Sequence, residues 1–145
     1  MSDFWIKWLK GWSIFTIAFG AMFAVMDLGA LGAPARLFTD IALLRMPGAA
    51  ALAPGREGLL MAGIMGAVMM GWGLYLYLTI ETMARADASQ LRRAVLGAFT
   101  LWFLFDQAAS WRMGAYGNMV SNVTFYAVFV LPFLVAERRT ADQTA

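Results

Sequence analysis

The chain contains no cysteine and no histidine, and only 14% of its 145 residues are charged. Without cysteine there is no disulfide framework, no thiol nucleophile and no thiolate metal site. Without histidine the usual ligand of haem and zinc is gone, along with the side chain that titrates near neutrality. No metal and no other cofactor is therefore expected. The net charge of +2 is too small to argue for a nucleic-acid partner, and no basic stretch carries interleaved aromatics. Soluble domains usually carry about 25% charge, so even this modest complement is low.

What fills the space is apolar. Hydrophobic residues make up 61% of the chain, against about 45–50% in an ordinary soluble domain. Four apolar stretches, residues 11–30, 58–81, 93–111 and 118–136, approach or exceed the roughly 20 residues a helix needs to cross a bilayer. No linker divides them. The expectation is an all-α fold: one domain, a transmembrane four-helix bundle with the lipid bilayer as its main partner. MSDFWIKWLK followed by GWSIFTIAFGAMFAV has the outline of a signal peptide, but its tryptophans and long apolar run read better as an anchor.

Lys7, Lys10, Arg85, Arg92, Arg93, Arg138 and Arg139 fall on one side of the four stretches, and Arg36, Arg45, Arg56 and Arg112 on the other. Positive residues collect on the cytoplasmic side. Both termini are thus expected in the cytoplasm, with the chain in a bacterial inner membrane. Trp5, Trp8 and Trp12 suit the aromatic belt of the inner interface.

The link at 31–57 is the longest and holds Pro34, Pro47 and Pro54. Within it Leu37, Ile41 and Leu44, with Phe38 nearby, recur at helical spacing, which predicts an amphipathic segment on the outer surface or capping the bundle. In the second stretch Gly58, Ala62 and Gly66 are four apart, as are Gly63, Ala67 and Gly71. Such rows make grooves where another helix approaches closely. Met61, Met65 and Met69 form a third row, best read as packing because no cysteine or histidine accompanies it.

Polarity inside the apolar stretches is rare and sits at one depth. Asp106 lies roughly 20 Å along its helix from Arg93, and Asp27 roughly 22 Å from Trp12, at 1.5 Å per residue. Asn118, Ser121 and Asn122 open the fourth stretch at the same outer end. Asp106 and Ser110 share one helical face; Asn118, Ser121 and Asn122 share another; the short turn between lets the faces meet. A charge in lipid is costly, by about 2.5–3.5 kcal/mol at a helix centre. Asp106 is therefore expected inside the bundle, paired with Arg112 or Arg36, or protonated. Asp27, Asp106, Ser110, Arg112, Asn118, Ser121 and Asn122 form the candidate polar pocket. Glu81 and Arg85, at i, i+4, read as a surface pair.

GAVMMGWGLYLYLTI followed by LWFLFDQAASWRMGAYGNMVSN resembles small bacterial four-helix membrane proteins and is similar in layout to the loosely defined DoxX-like group. The resemblance covers roughly residues 11–136. It rests most on Gly71-Trp72-Gly73 and on the spaced set Asp106, Ser110, Gly114, Asn118 and Asn122. It implies the fold and the membrane location, and no particular activity. Some members are linked to quinone or thiol redox complexes; a chain without cysteine does not itself supply the thiol. The leading expectation is a non-enzymatic accessory or structural subunit with a protein partner or a second copy. The alternative is a small carrier or ligand-binding bundle with an outward-facing polar pocket.

Overall fold

The computed structural model describes residues 1–45 and 55–144, with side chains as far as residue 135. Among these residues there is no strand, and the chain is all-helical. In order come α1 (Asp3–Ala24), a single 3-10 turn (Gly29–Gly32), α2 (Ala33–Ala42), α3 (Arg56–Ala86), α4 (Ala88–Arg112) and α5 (Tyr116–Thr144). The four long helices overlap the four apolar stretches. Three extend beyond the expected ends, and the first is displaced toward the N-terminus.

That displacement has a cause. The inward face of α1 begins at Ile6 and continues through Leu9, Ser13, Thr16, Gly20 and Phe23, at helical spacing. The tryptophan-rich leader therefore belongs to the helix. The stop comes at Ala24, where the Arg36 guanidinium donates to the Met26 carbonyl at 2.7 Å and to that of Gly29. These bonds use carbonyls that a continuing helix would need for itself.

Two helices, Arg56–Ala86 and the Tyr116–Val135 part of α5, are long and apolar enough to cross a membrane. Lys7 and Lys10 dilute α1, and Arg92, Arg93, Asp106 and Gln107 dilute α4. Only 17% and 22% of the two most apolar windows are buried. Leu60, Leu78 and Val120 instead face outward, each at least 60% exposed. The core helix of a soluble protein buries such residues.

α1 and α3 run antiparallel at very close range. A Cβ on Gly20 would stand 2.6 Å from the Gly66 carbonyl, and one on Gly73 2.8 Å from the Ser13 carbonyl. Backbone meets backbone, which only glycine permits. Of the two small-residue rows on α3, this seam uses Ala62 and Gly66 and adds Gly73. Gly63 and Gly71 have nothing within 4 Å and face outward. Glu81 makes the expected bond to Arg85 at 3.1 Å, and also an ion pair with Lys10 across the seam at 3.0 Å.

Asp87 turns the chain from α3 into α4. Its carboxylate caps α4, accepting from the Ser89 hydroxyl at 2.7 Å and from the Ser89 and Gln90 amides at 2.8 and 3.1 Å. The Ser89 hydroxyl first, then the two amides, hold this carboxyl below the usual aspartate range.

At this end of the bundle all four long helices meet in a filled core. Ile6, Leu9, Ile80, Leu91, Phe129 and Phe133 are almost wholly buried in it. Pro132 sits inside α5 among them. A proline has no N–H, so the carbonyl four residues back, that of Val128, loses its helical donor. Trp8 Nε1 donates to that carbonyl at 2.9 Å. An indole of α1 thus replaces the bond that the proline removes, and ties α1 to α5. Thr100 and Tyr126 join α4 to α5 through their hydroxyls at 3.0 Å.

At the other end lies α2. Leu37 and Ile41 on α2 point outward, and Leu44, just past its end at a φ of +52°, is exposed as well, 47–67% across the three. The bundle is met by the opposite side, through Ala35, Ala42 and Phe38. Phe38, expected near the outward stripe, turns inward because Phe19 and Phe23 receive its ring edge-on, at 4.8 and 5.7 Å between centroids. Gly117 backs onto the Ile41 carbonyl, so α2 also lies tight against the start of α5. Pro47 and Pro54 lie outside the described residues.

Candidate ligand cavity

Between the α1–α3 pair and the α4–α5 pair, in the half of the bundle next to α2, the helices stand apart. They leave a cavity of about 360 Å³. Its floor is the top of the filled core, where Trp72 stacks on Phe99 at 4.8 Å and Phe99 on Phe129 at 4.0 Å. Its far end is closed by Phe38 on Phe19 and Phe23. Phe125, against Phe19 at 5.5 Å, and Met65, Val68 and Met69 complete the apolar walls. The methionine row is thus split: Met65 and Met69 line the cavity and Met61 is exposed.

One wall is polar. Asp106, Asn118, Ser121 and Asn122 line it. Ser110 lies behind them, 4% exposed. The Ser110 hydroxyl donates to Asp106 Oδ1 at 3.0 Å, and Asn118 Nδ2 donates to the same oxygen at 2.9 Å. Asn118 Nδ2 also donates to Ser110 Oγ at 2.8 Å, closing a three-membered ring of bonds. The spacing of the sequence explains this. Asp106 and Ser110 are one turn apart on α4, and the short Met113–Ala115 connection sets the first turn of α5 beside them. The Gly114 φ of +67° suits that tight reversal.

Chemistry fixes the amide orientations. Asp106 Oδ1 here accepts, so Asn118 must present its NH2 group. Gln107 Nε2 donates to the Met119 carbonyl at 3.4 Å, which leaves Gln107 Oε1 to accept from Asn122 Nδ2 at 3.5 Å. Ser121 gives its hydrogen to the Gly117 carbonyl at 3.1 Å, and Thr16, on the facing wall, to that of Trp12 at 2.9 Å. Every buried side-chain nitrogen or oxygen among the described residues has a partner. Among the described residues Asp106 Oδ2 and the side-chain oxygens of Asn118 and Asn122 have no hydrogen-bond partner, so these three acceptors are not fully buried.

Two expected members lie elsewhere. Asp27 is exposed in the turn after α1, because the helix ends three residues before it. Arg112 is exposed at the last turn of α4 and makes no ion pair among the described residues. Arg36 is committed to backbone carbonyls. The expected pairing of Asp106 with an arginine is therefore absent; Ser110 and Asn118 take its place. Gln107 and the aromatic wall lie outside the expected polar set. Helical arithmetic on α4 and α5 alone reaches Gln107, at i+1 from Asp106 and facing Asn122. Nothing in the sequence identifies the rings that surround the space. Among the described residues no cluster of metal-binding carboxylates occurs.

No protein-family model, curated protein or solved structure matches the chain.

Proposed function

We propose that the chain is a small integral membrane protein that holds a small, largely apolar ligand in the cavity beside Asp106. In this reading it is a transmembrane four-helix bundle of DoxX-like layout. It lies in a bacterial inner membrane with both termini cytoplasmic and the cavity toward the outer face. The observation that carries the ligand is the cavity: about 360 Å³, mainly aromatic, with a few convergent polar groups on one wall. Small-molecule sites have that size and that make-up. The bilayer reading is supported by two helices that meet the length and hydropathy of a span. The outward apolar faces and seven of the eleven basic residues on the termini side support it further. With no histidine or cysteine in the chain, and with the Ser110 hydroxyl buried behind the wall, we assign the cavity no catalysis.

The test is a ligand-induced thermal shift in nanodiscs, across a panel of metabolites and lipids, with Ser121→Leu as the plugged control. A compound that stabilises the natural protein and not the plugged one supports the site. A panel without any such compound, on a protein whose cavity is shown to be water-filled and rigid, counts against it. Reporter fusions at both termini test the topology; a periplasmic terminus would overturn it.

A second role, as an accessory subunit, is favoured by the outward row of Gly63, Ala67 and Gly71, where a partner helix or a second copy would find a groove. Pull-down in mild detergent tests this, and constant recovery of the chain alone and monomeric would reject it.

A further inference from the structure

Resting on the cavity as a ligand site, we infer that its ligand is an organic ammonium with an aromatic or alkyl body, its cationic head set against Asp106. The argument begins with what the polar wall leaves free. Asp106 Oδ1 is filled by Ser110 and Asn118. The Asn118 and Asn122 NH2 groups are turned to protein oxygens. What remains open is Asp106 Oδ2 with two amide oxygens, all acceptors. A head that donates several hydrogen bonds meets them; a head that only accepts does not.

Charge points the same way. Among the described residues Asp106 is the one ionisable residue lining the cavity. No lysine or arginine lines it, and residues 46–54, which lie outside the described set, contain no charged residue at all. Nothing positive is there to receive a carboxylate or phosphate. The Trp72 and Trp102 indoles add N–H donors, but neutral ones. The walls are compatible with it: Phe19, Phe125, Trp72 and Trp102 line the space, and aromatic rings can take up a cation against their faces. A carboxylate with two donors already on one oxygen is held in place to receive the head on the other, so little ordering is left for the ligand to drive.

Three probes of like size separate the possibilities: phenylbutylamine, phenylbutanol and phenylbutanoate, each radiolabelled. Retention is measured on protein-loaded nanodiscs of zwitterionic lipid over empty ones at neutral pH. The ammonium is expected to bind about tenfold or more tightly than the alcohol, and the carboxylate more weakly than either. Asp106→Asn should bring the ammonium down to about the level of the alcohol. The inference is overturned if the alcohol or the carboxylate matches the ammonium, or if Asp106→Asn leaves the ammonium unaffected. The series on the natural protein decides the matter even where the variant does not fold. Retention of the alcohol and ammonium alike would keep the cavity as a ligand site and sink only the charge preference. Retention of none of the three would remove the site and the inference together.

Discussion

At the level of Leu9 and Ile80 the four long helices close on one another and nothing is left between them. At the level of Phe19 and Asn122, two or three turns away, the same four helices enclose a cavity. The α1–α3 seam runs through both levels without change, because glycine lets the backbones touch at Gly73 and again at Gly66. The difference lies in the α4–α5 pair. Leu91, Val95 and Phe133 bring it onto the seam in the filled half. In the hollow half, Phe19 on α1 meets Phe125 on α5 and holds the pair off, and Asp106, Ser110 and Asn118 on its inner side are bonded to one another. In the bilayer proposed for this chain, apolar side chains at the hollow level would find little reason to close, since lipid is as apolar as they are. A ring of satisfied polar bonds keeps the wall in place without requiring the space to be filled.

Truncation should break the symmetry between the halves most visibly. Leu9→Ala, in the filled half, is expected to cost about 2–5 kcal/mol through the void it creates. Phe125→Ala removes more atoms but enlarges a space that already exists, and is expected to cost less than about 2 kcal/mol. Unfolding in a denaturant series in mixed micelles measures both. A larger loss for Phe125→Ala would mean that the hollow half is tightly packed after all.

The seam common to both halves is probed by adding atoms. Gly66→Ala puts a Cβ 2.5 Å from the Ala24 amide nitrogen, and should lose about 1–3 kcal/mol. Gly71→Ala, one and a half turns on and facing outward, should be neutral or stabilising by up to about 1 kcal/mol from helix propensity. Equal effects in the same assay would refute the assignment of faces on α3.

Trp8→Phe leaves the Val128 carbonyl without a donor in the filled core, at a cost of about 1–2 kcal/mol. Pro132→Ala restores the helix N–H, so in that background Trp8→Phe should cost appreciably less. A double-mutant cycle with no coupling would disprove the indole's role as a substitute donor.

In the hollow half, Asp106→Ala should cost about 1 kcal/mol, since Asn118 keeps Ser110 and water reaches the remainder. Asp106→Asn should cost less, because an amide oxygen still accepts. A neutral Asp106→Ala that abolishes ligand binding would make the carboxylate a recognition group with no part in holding the wall.

The smallest effect belongs to the turn beneath the filled half. Asp87 is held below the ordinary aspartate range, so it stabilises the fold above its unfolded value. That contribution fades as pH falls through the lower folded value. The protection of the Ser89 and Gln90 amides, taken relative to their intrinsic exchange at each pH, should fall on acidification in that window. Asp87→Asn should remove this pH dependence, and its persistence there would assign the effect to another group.

Much of this was legible before any coordinates. Two periods decided it: apolar runs long enough for helices, and polar residues at i, i+4 on α4 and i, i+3, i+4 on α5, joined by a short turn. Local geometry then lets Asp106, Ser110 and Asn118 meet across the short turn. The composition alone excluded histidine and cysteine chemistry.

Contacts between distant segments were another matter. Periodicity says which residues share a face, and is silent on which neighbour that face meets. So Gly66 and Gly73 were chosen over Gly63 and Gly71 only when Gly20 and Ser13 arrived opposite them. Asp27 left the polar set because Arg36, nine residues later, ended α1 before it. The indole that serves Pro132 comes from the far end of the chain. The cavity itself is the sum of such choices: its volume depends on how closely four separate helices approach, and that depends on the size of side chains each receives from the others.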